Sequence, residues 1–160
     1  MTFSQRLEAR LATILESYPQ GRERAALIPM LVYAQDEVGH ISKDLASEVA
    51  RRCGVTTLQV DEVVGYYTML RSKPMGRTHV QICTNISCML VGGAELWDHA
   101  CHKLGIGHNQ VTPDGKFSLE EVECIGACSW APAIQLNYDF HHHVTPEKLD
   151  QAIDALRKTQ

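Results

Sequence analysis

Apolar positions recur with one period before about residue 72 and with another after it. In the first stretch Leu7, Leu11, Ile14, Leu15 and Tyr18 return at spacings of three and four, the pattern of one helix face. Thr2 and Gln5 fit a capping box ahead of that helix, and "YPQG" ends it. A second helix is predicted from about Arg24 to Val38, with Leu27, Leu31, Ala34 and Val38 on a stripe beside Ile28 and Val32. Pro29 is compatible only with its first turn, where a missing N–H goes unused. Ser42 caps a third helix that buries Leu45, Val49, Ala50 and Cys53 and stops at Gly54. Thr56 with Gln59 reads as the capping box of a fourth, burying Val60, Val63, Val64 and Tyr67.

"RSKPMGR", residues 71 to 77, breaks this periodicity with Pro74 and Gly76, so a boundary is placed there: residues 1–72 as a helical bundle and 73–160 as a second domain. "THVQIC" then alternates with period two, a strand that turns Val80 and Ile82 inward and delivers Cys83 at its end. After "TNIS", a helix opening at Cys88 is predicted to bury Leu90, Ala94, Trp97, Cys101 and Leu104 and to stop at Gly105. "TPDG" has the residues of a tight turn and launches "KFSLEEVEC". There Phe117 and Leu119 fall on one face and Val122 and Cys124 on the other, a slip that a bulge or break near Glu120 would reconcile. "AIQLN" and "FHHHV" read as short strands around "NYD", and Thr145–Pro146 opens a last helix that buries Leu149, Ile153 and Leu156. The expected class is α+β, with a β-α-β-β-β-α second half.

Composition narrows the function. A net charge of −4 with pI near 6.0 supplies no basic patch for phosphates, which argues against nucleic acid as partner and for protein. The longest nearly apolar run, "AALIPMLVYA", has ten residues and contains Pro29, about half of what a membrane span needs. "MTFSQRLEARLATILES" lacks the apolar core of a secretory signal, so a cytosolic protein is expected. No phosphate-binding glycine loop, nucleophile elbow or catalytic carboxylate pair is present, and no binding of NADH by this chain is expected.

In a reducing compartment six cysteines point to metal or redox chemistry rather than disulfides. Cys83 and Cys88 form C-x4-C at one strand end, and Cys124 and Cys128 form C-x3-C at another. Neighbouring strands can bring such ends together into one four-thiolate site. Zinc accepts four thiolates, usually on tighter loops; a two-iron cluster is larger and divides them two per iron, so the spacing leans toward iron. Gly126 and Ala127 leave backbone N–H groups accessible to anionic sulfur, and Ile86, Ile125 and Trp130 are expected to exclude water. Neither pair is the C-x-x-C of a catalytic dithiol. Cys53 and Cys101 fall on apolar helix stripes as inert core residues, and His141, His142 and His143 read as a solvated edge strand.

"VGYYTMLRSKPMGRTHVQICTNISC", "TPDGKFSLEEVECIGACSWAP" and "VTPEKLDQAI" together resemble, in order and spacing, the E-type subunit of the proton-pumping NADH:quinone oxidoreductase, respiratory complex I. Matching subunits of NAD-linked hydrogenases and formate dehydrogenases are its relatives. The resemblance implies a helical segment followed by a thioredoxin-like ferredoxin domain that carries one [2Fe-2S] cluster on Cys83, Cys88, Cys124 and Cys128. It implies a partner flavoprotein that holds FMN and oxidises NADH, further iron–sulfur subunits alongside, and a cytoplasmic position peripheral to the inner membrane. The helical half is expected to do much of the docking, because its apolar stripes exceed what a small bundle can hide. "YY" at 66 and 67 and "FHHHV" depart from the family pattern. The rival of another class is a zinc-stabilised interaction module.

Overall fold

The structure, a computed structural model, describes residues 3–159. It divides into two compact units, Met1–Pro74 and Met75–Gln160. In the first, helices α1 (Gln5–Glu16), α2 (Leu27–Val38), α3 (Lys43–Cys53) and α4 (Thr57–Tyr66) follow one another. The expected Thr2 cap lies outside the described residues. Ser4 caps α1 by accepting from the Leu7 N–H at 3.1 Å, Ser42 does the same for Leu45 at 3.2 Å, and Thr56 and Gln59 make the capping box of α4. Pro29 is the third residue of α2, behind a 3₁₀ turn at Glu23–Ala26, so it removes no intrahelical bond. Leu11, Met30, Leu31, Leu45 and Val49 are wholly buried in one core. Each contributes about 1.5–3 kcal/mol by leaving water.

One expectation fails in this unit. Tyr67 is off the buried stripe of α4: the helix ends at Tyr66, and the extended backbone of Tyr67 (φ −90°, ψ 106°) leaves its side chain exposed. Along the stripes Ile14, Leu15, Tyr18, Val32, Val38, Val63 and Val64 are half-buried, and the large exposed apolar residues Leu58, Tyr66, Tyr67 and Met69 gather in and just after α4.

The second unit contains strands β1 (Thr78–Cys83), β2 (Gln110–Val111), β3 (Phe117–Val122), β4 (Ile134–Leu136) and β5 (Asp139–His141), in sheet order β2-β3-β1-β4-β5. β1 and β3 are parallel and central; the other pairs are antiparallel. Helices α5 (Ile86–Met89) and α6 (Gly93–Leu104) connect β1 toward β2, and α7 (Pro146–Thr159) closes the chain, its N-terminus capped by Thr145, which accepts from the Lys148 N–H at 3.4 Å. Leu96, Ala100 and Leu104 of α6 and Leu149 and Ile153 of α7 pack with Val80, Ile82, Phe117, Leu119 and Ile134, so both helices cover one face of the sheet.

The helix expected to open at Cys88 is two helices. Gly92 takes a left-handed conformation (φ 98°) between them, which shifts the phase. The buried stripe of α6 is therefore Gly93, Leu96, Ala100 and Leu104, while Ala94 and Leu90 are exposed. No bulge occurs near Glu120, since the ladder runs without interruption from Thr78 opposite Phe117 to Cys83 opposite Val122. The apparent slip has another cause: the first half of β3 is buried on both faces, Ser118 included, and its far end turns Val122 toward the cysteines. On that second face His79 Nδ1 lies 2.8 Å from Ser118 Oγ and its Nε2 lies 2.7 Å from Glu120, which also accepts from Gln81 at 2.8 Å. Of the three histidines only His141 belongs to the edge strand β5; His142 stacks on Trp130 at 5.2 Å.

Candidate metal centre

The strand β1 ends on Cys83, and Asn85 turns the chain by accepting from the Ile86 N–H at 2.7 Å, which starts the short helix α5 and places Cys88 in it. Both thiols are buried. Beyond β3, the loop from Glu123 passes through Gly126, whose φ of 78° a side chain would strain, into a 3₁₀ turn at Cys128–Trp130 that packs against α5. Cys124 and Cys128 are exposed. The two pairs thus approach from adjacent parallel strands, Cys83 standing opposite Val122 in register.

Cys83, Cys88, Ala127 and Ala133 form a small buried cluster against which Val122, Ile125 and Ala131 pack. Burial lifts the Cys88 thiol above its ordinary pKa; a backbone hydrogen bond from Ala133 opposes that rise, and the neighbouring sulfurs of Cys83 and Cys128 add to it. The Cys128–Trp130 turn packs against α5, which carries Cys88, so the segments bearing C-x4-C and C-x3-C lie side by side. The Ala133 carbonyl also accepts from the Cys83 N–H at 3.2 Å, and the Cys83 thiol faces the Glu123 carbonyl at 3.8 Å. On the other side the Gly126 N–H donates to Cys124 Sγ at 3.2 Å. Among the described residues no three His, Cys, Asp or Glu side chains are spaced to hold one metal ion.

Cys53 lies in the helical core, its thiol 3.4 Å from Met30 Sδ and pushed up to about 11 by burial. Cys101, half-buried on α6, stands apart from the cluster. Neither joins the site. Ile86 and Trp130, expected to exclude water, are themselves 67% and 52% exposed. Ala127 and Ala133 are the buried residues clustered with Cys83 and Cys88, with Ile125 half-buried beside them.

Sequence reasoning misses three contributors. Ala133 serves both buried cysteines through its backbone, which residue type does not reveal. Val122 stands out in the sequence only as out of phase. Gly93 lies under both segments: a Cβ there would stand 2.8 Å from the carbonyl carbon and oxygen of Cys88 and 3.0 Å from the Cys83 carbonyl oxygen. The adjacent glycines at 92 and 93 are the available signal.

Residues 11–157 match the family described as thioredoxin-like [2Fe-2S] ferredoxin. Among curated proteins, an E-type subunit of the NADH-quinone oxidoreductase of Rhizobium meliloti is 39% identical over 160 residues, covering 100% of this chain and 92% of the relative. A second relative, from the NADH-quinone oxidoreductase of Thermus thermophilus, is 41% identical over 141 residues, covering 88% of this chain and 78% of the relative. The crystal structure of an air-oxidized NAD+-reducing [NiFe]-hydrogenase shares the fold, with a TM-score of 0.75 at 19% identity over 88% of this chain; the match spans 24% of that hydrogenase chain. The chain belongs to the thioredoxin-like [2Fe-2S] ferredoxin family, among the E-type subunits of NADH-quinone oxidoreductases. The thiol set fits the group that family carries: two buried sulfurs, two at the surface, backbone N–H groups directed at Cys88 and Cys124, and small apolar neighbours. Among the described residues no helix is long and apolar enough to cross a membrane.

Proposed function

We propose that this chain is the electron-carrying E-type subunit of an NADH-quinone oxidoreductase, with one [2Fe-2S] cluster on Cys83, Cys88, Cys124 and Cys128. When bound, that cluster supplies reversible one-electron chemistry. The observation that supports the reading is that the two cysteine segments follow the ends of the parallel strands β1 and β3, with the Cys128–Trp130 turn packed against the short helix that carries Cys88. The chain's own part is to hold four thiolates without strain, to aim N–H groups at sulfur, and to keep water from the inner pair.

In this reading the electron is exchanged with the FMN of a partner flavoprotein that oxidises NADH, and further iron–sulfur subunits complete the assembly. The protein works in the cytoplasm, peripheral to the inner membrane. Residues 73–160 form the cluster domain and residues 1–72 a docking segment, for which the exposed Leu58, Tyr66 and Met69 give support. Electron paramagnetic resonance of the chain purified without oxygen and reduced with dithionite tests the assignment. A rhombic signal with one spin per chain is expected, lost or altered in each of Cys83→Ser, Cys88→Ser, Cys124→Ser and Cys128→Ser. A full signal in any one of these variants removes that residue from the ligand set, and a silent wild-type chain that contains zinc refutes the proposal.

A further inference from the structure

Resting on that reading, we infer that Cys124 and Cys128 are the port through which the cluster enters: they take it, already assembled, from a donor that holds it by thiolates, and Cys83 and Cys88 engage it last. The four sulfurs are unequal in what they can reach. Cys83 and Cys88 are 4% and 3% exposed, one at the end of β1 and the other within α5. Cys124 and Cys128 are exposed, on the segment that joins β3 to β4. Ala127 and Ala133 of that same segment are buried together with Cys83 and Cys88. The stretch that displays the outer sulfurs therefore packs on the inner pair. Gly126, at φ 78°, turns this stretch so that its N–H donates to Cys124 Sγ at 3.2 Å, which steadies that sulfur and negative charge on it.

Ligand exchange sets the order. An attacking sulfur must reach iron while the donor's own ligands still surround it, so access decides which cysteines act first. Sulfurs on the surface meet that condition, and the inner pair does not. Each exchange forms one bond from a cysteine sulfur to iron and breaks one from a donor sulfur, and the proton of the cysteine thiol leaves on the released donor thiol. Iron and bridging sulfide keep their charges, so no oxidant or reductant is needed. Exchange at Cys124 and Cys128 frees two donor thiols and anchors the cluster. The remaining two exchanges are then intramolecular, at the high local concentration that anchoring gives. Building the cluster in place from free ions would require no such order.

The probe is the [2Fe-2S] complex of four glutathione thiolates, mixed without oxygen with the metal-free full-length chain. Iron, sulfide and glutathione per chain are read after desalting at timed intervals, for wild type, Cys83→Ala/Cys88→Ala and Cys124→Ala/Cys128→Ala. The wild type is expected to reach about two iron and two sulfide with no glutathione. The variant without the inner pair should still capture the cluster and keep about two glutathione per chain, and the variant without the outer pair should capture it at least tenfold more slowly. Urea midpoints establish that each variant folds. Where a double variant does not, Cys88→Ser should capture severalfold faster than Cys128→Ser. Capture by Cys83→Ala/Cys88→Ala that is no faster than by Cys124→Ala/Cys128→Ala, or by Cys88→Ser no faster than by Cys128→Ser, overturns the port and leaves the cluster assignment standing. So does a wild type that loads from iron and sulfide ions but not from the glutathione complex. A wild type that gains a [2Fe-2S] cluster from neither source overturns both.

Discussion

Gly93 opens α6 directly beneath the backbone of both buried cysteines, and replacing it with Ala perturbs the site without touching a sulfur. The added Cβ would stand 2.8 Å from the carbonyl carbon and oxygen of Cys88 and 3.0 Å from the Cys83 carbonyl oxygen. These are main-chain atoms and cannot swing aside as a side chain would. Overpacking of this kind costs about 1–3 kcal/mol. Ala is the better helix former by about 0.5–1 kcal/mol, so the steric term wins and a net loss of about 1–2 kcal/mol is expected. Urea denaturation of the metal-free chain reads that loss directly, and a drop in melting temperature of about 4–8 °C per kcal/mol accompanies it in a domain of this size. The α5 and β1 ends are forced apart, so iron per chain should fall below wild type after identical anaerobic reconstitution. If Gly93→Ala is more stable than wild type and takes up full iron, the close packing of α6 under the cysteine segments is wrong.

Other perturbations separate site from scaffold. Arg52 bridges Glu8 at 2.7 Å and Glu48 at 2.7 Å, and Arg52→Ala should cost about 1–2 kcal/mol, between the values for exposed and buried pairs; an unchanged urea midpoint would contradict it. Hydrogen bonds from Arg51 and Arg52 hold the Glu48 carboxyl down to about 2, so its contribution is full above about pH 4.5 and disappears as the pH falls toward 2. Unfolding free energies at pH 6 and pH 3 should therefore differ less in Glu48→Gln than in wild type, and equal differences would refute the role. Ser118→Ala leaves the buried His79 Nδ1 without its 2.8 Å neighbour and should cost about 1–3 kcal/mol while iron content stays at the wild-type value. Alkylation of the metal-free chain at pH 8 should label Cys124 and Cys128 first and Cys53 only after unfolding, and early labelling of Cys53 would place it outside the core.

Periodicity and capping chemistry read the helical unit well, because Ser42, Gly54 and the Thr56–Gln59 pair act through neighbours in sequence. The strand β1 is legible for the same reason. What escapes depends on tertiary position. Leu90 fits a helical stripe by spacing, yet Gly92 resets the phase, and only the fold reveals that the reset occurs between α5 and α6. Ser118 is polar and wholly buried because β3 is central in the sheet, a fact that alternation along one strand does not contain. The two-residue strand β2 is too short to carry a pattern. At the centre, the four cysteines stand out by type and spacing. The backbone of Ala133 and the outward turn of Ile86 and Trp130 can be seen only in three dimensions.

The most direct measurement of the central claim is the iron, zinc and acid-labile sulfide content of the full-length chain purified without oxygen. About two iron and two sulfide per chain, with no zinc, is the result that the proposed cluster on Cys83, Cys88, Cys124 and Cys128 predicts. One zinc per chain without sulfide, or iron and sulfide that persist undiminished when Cys88 and Cys128 are both changed to Ser, would contradict it.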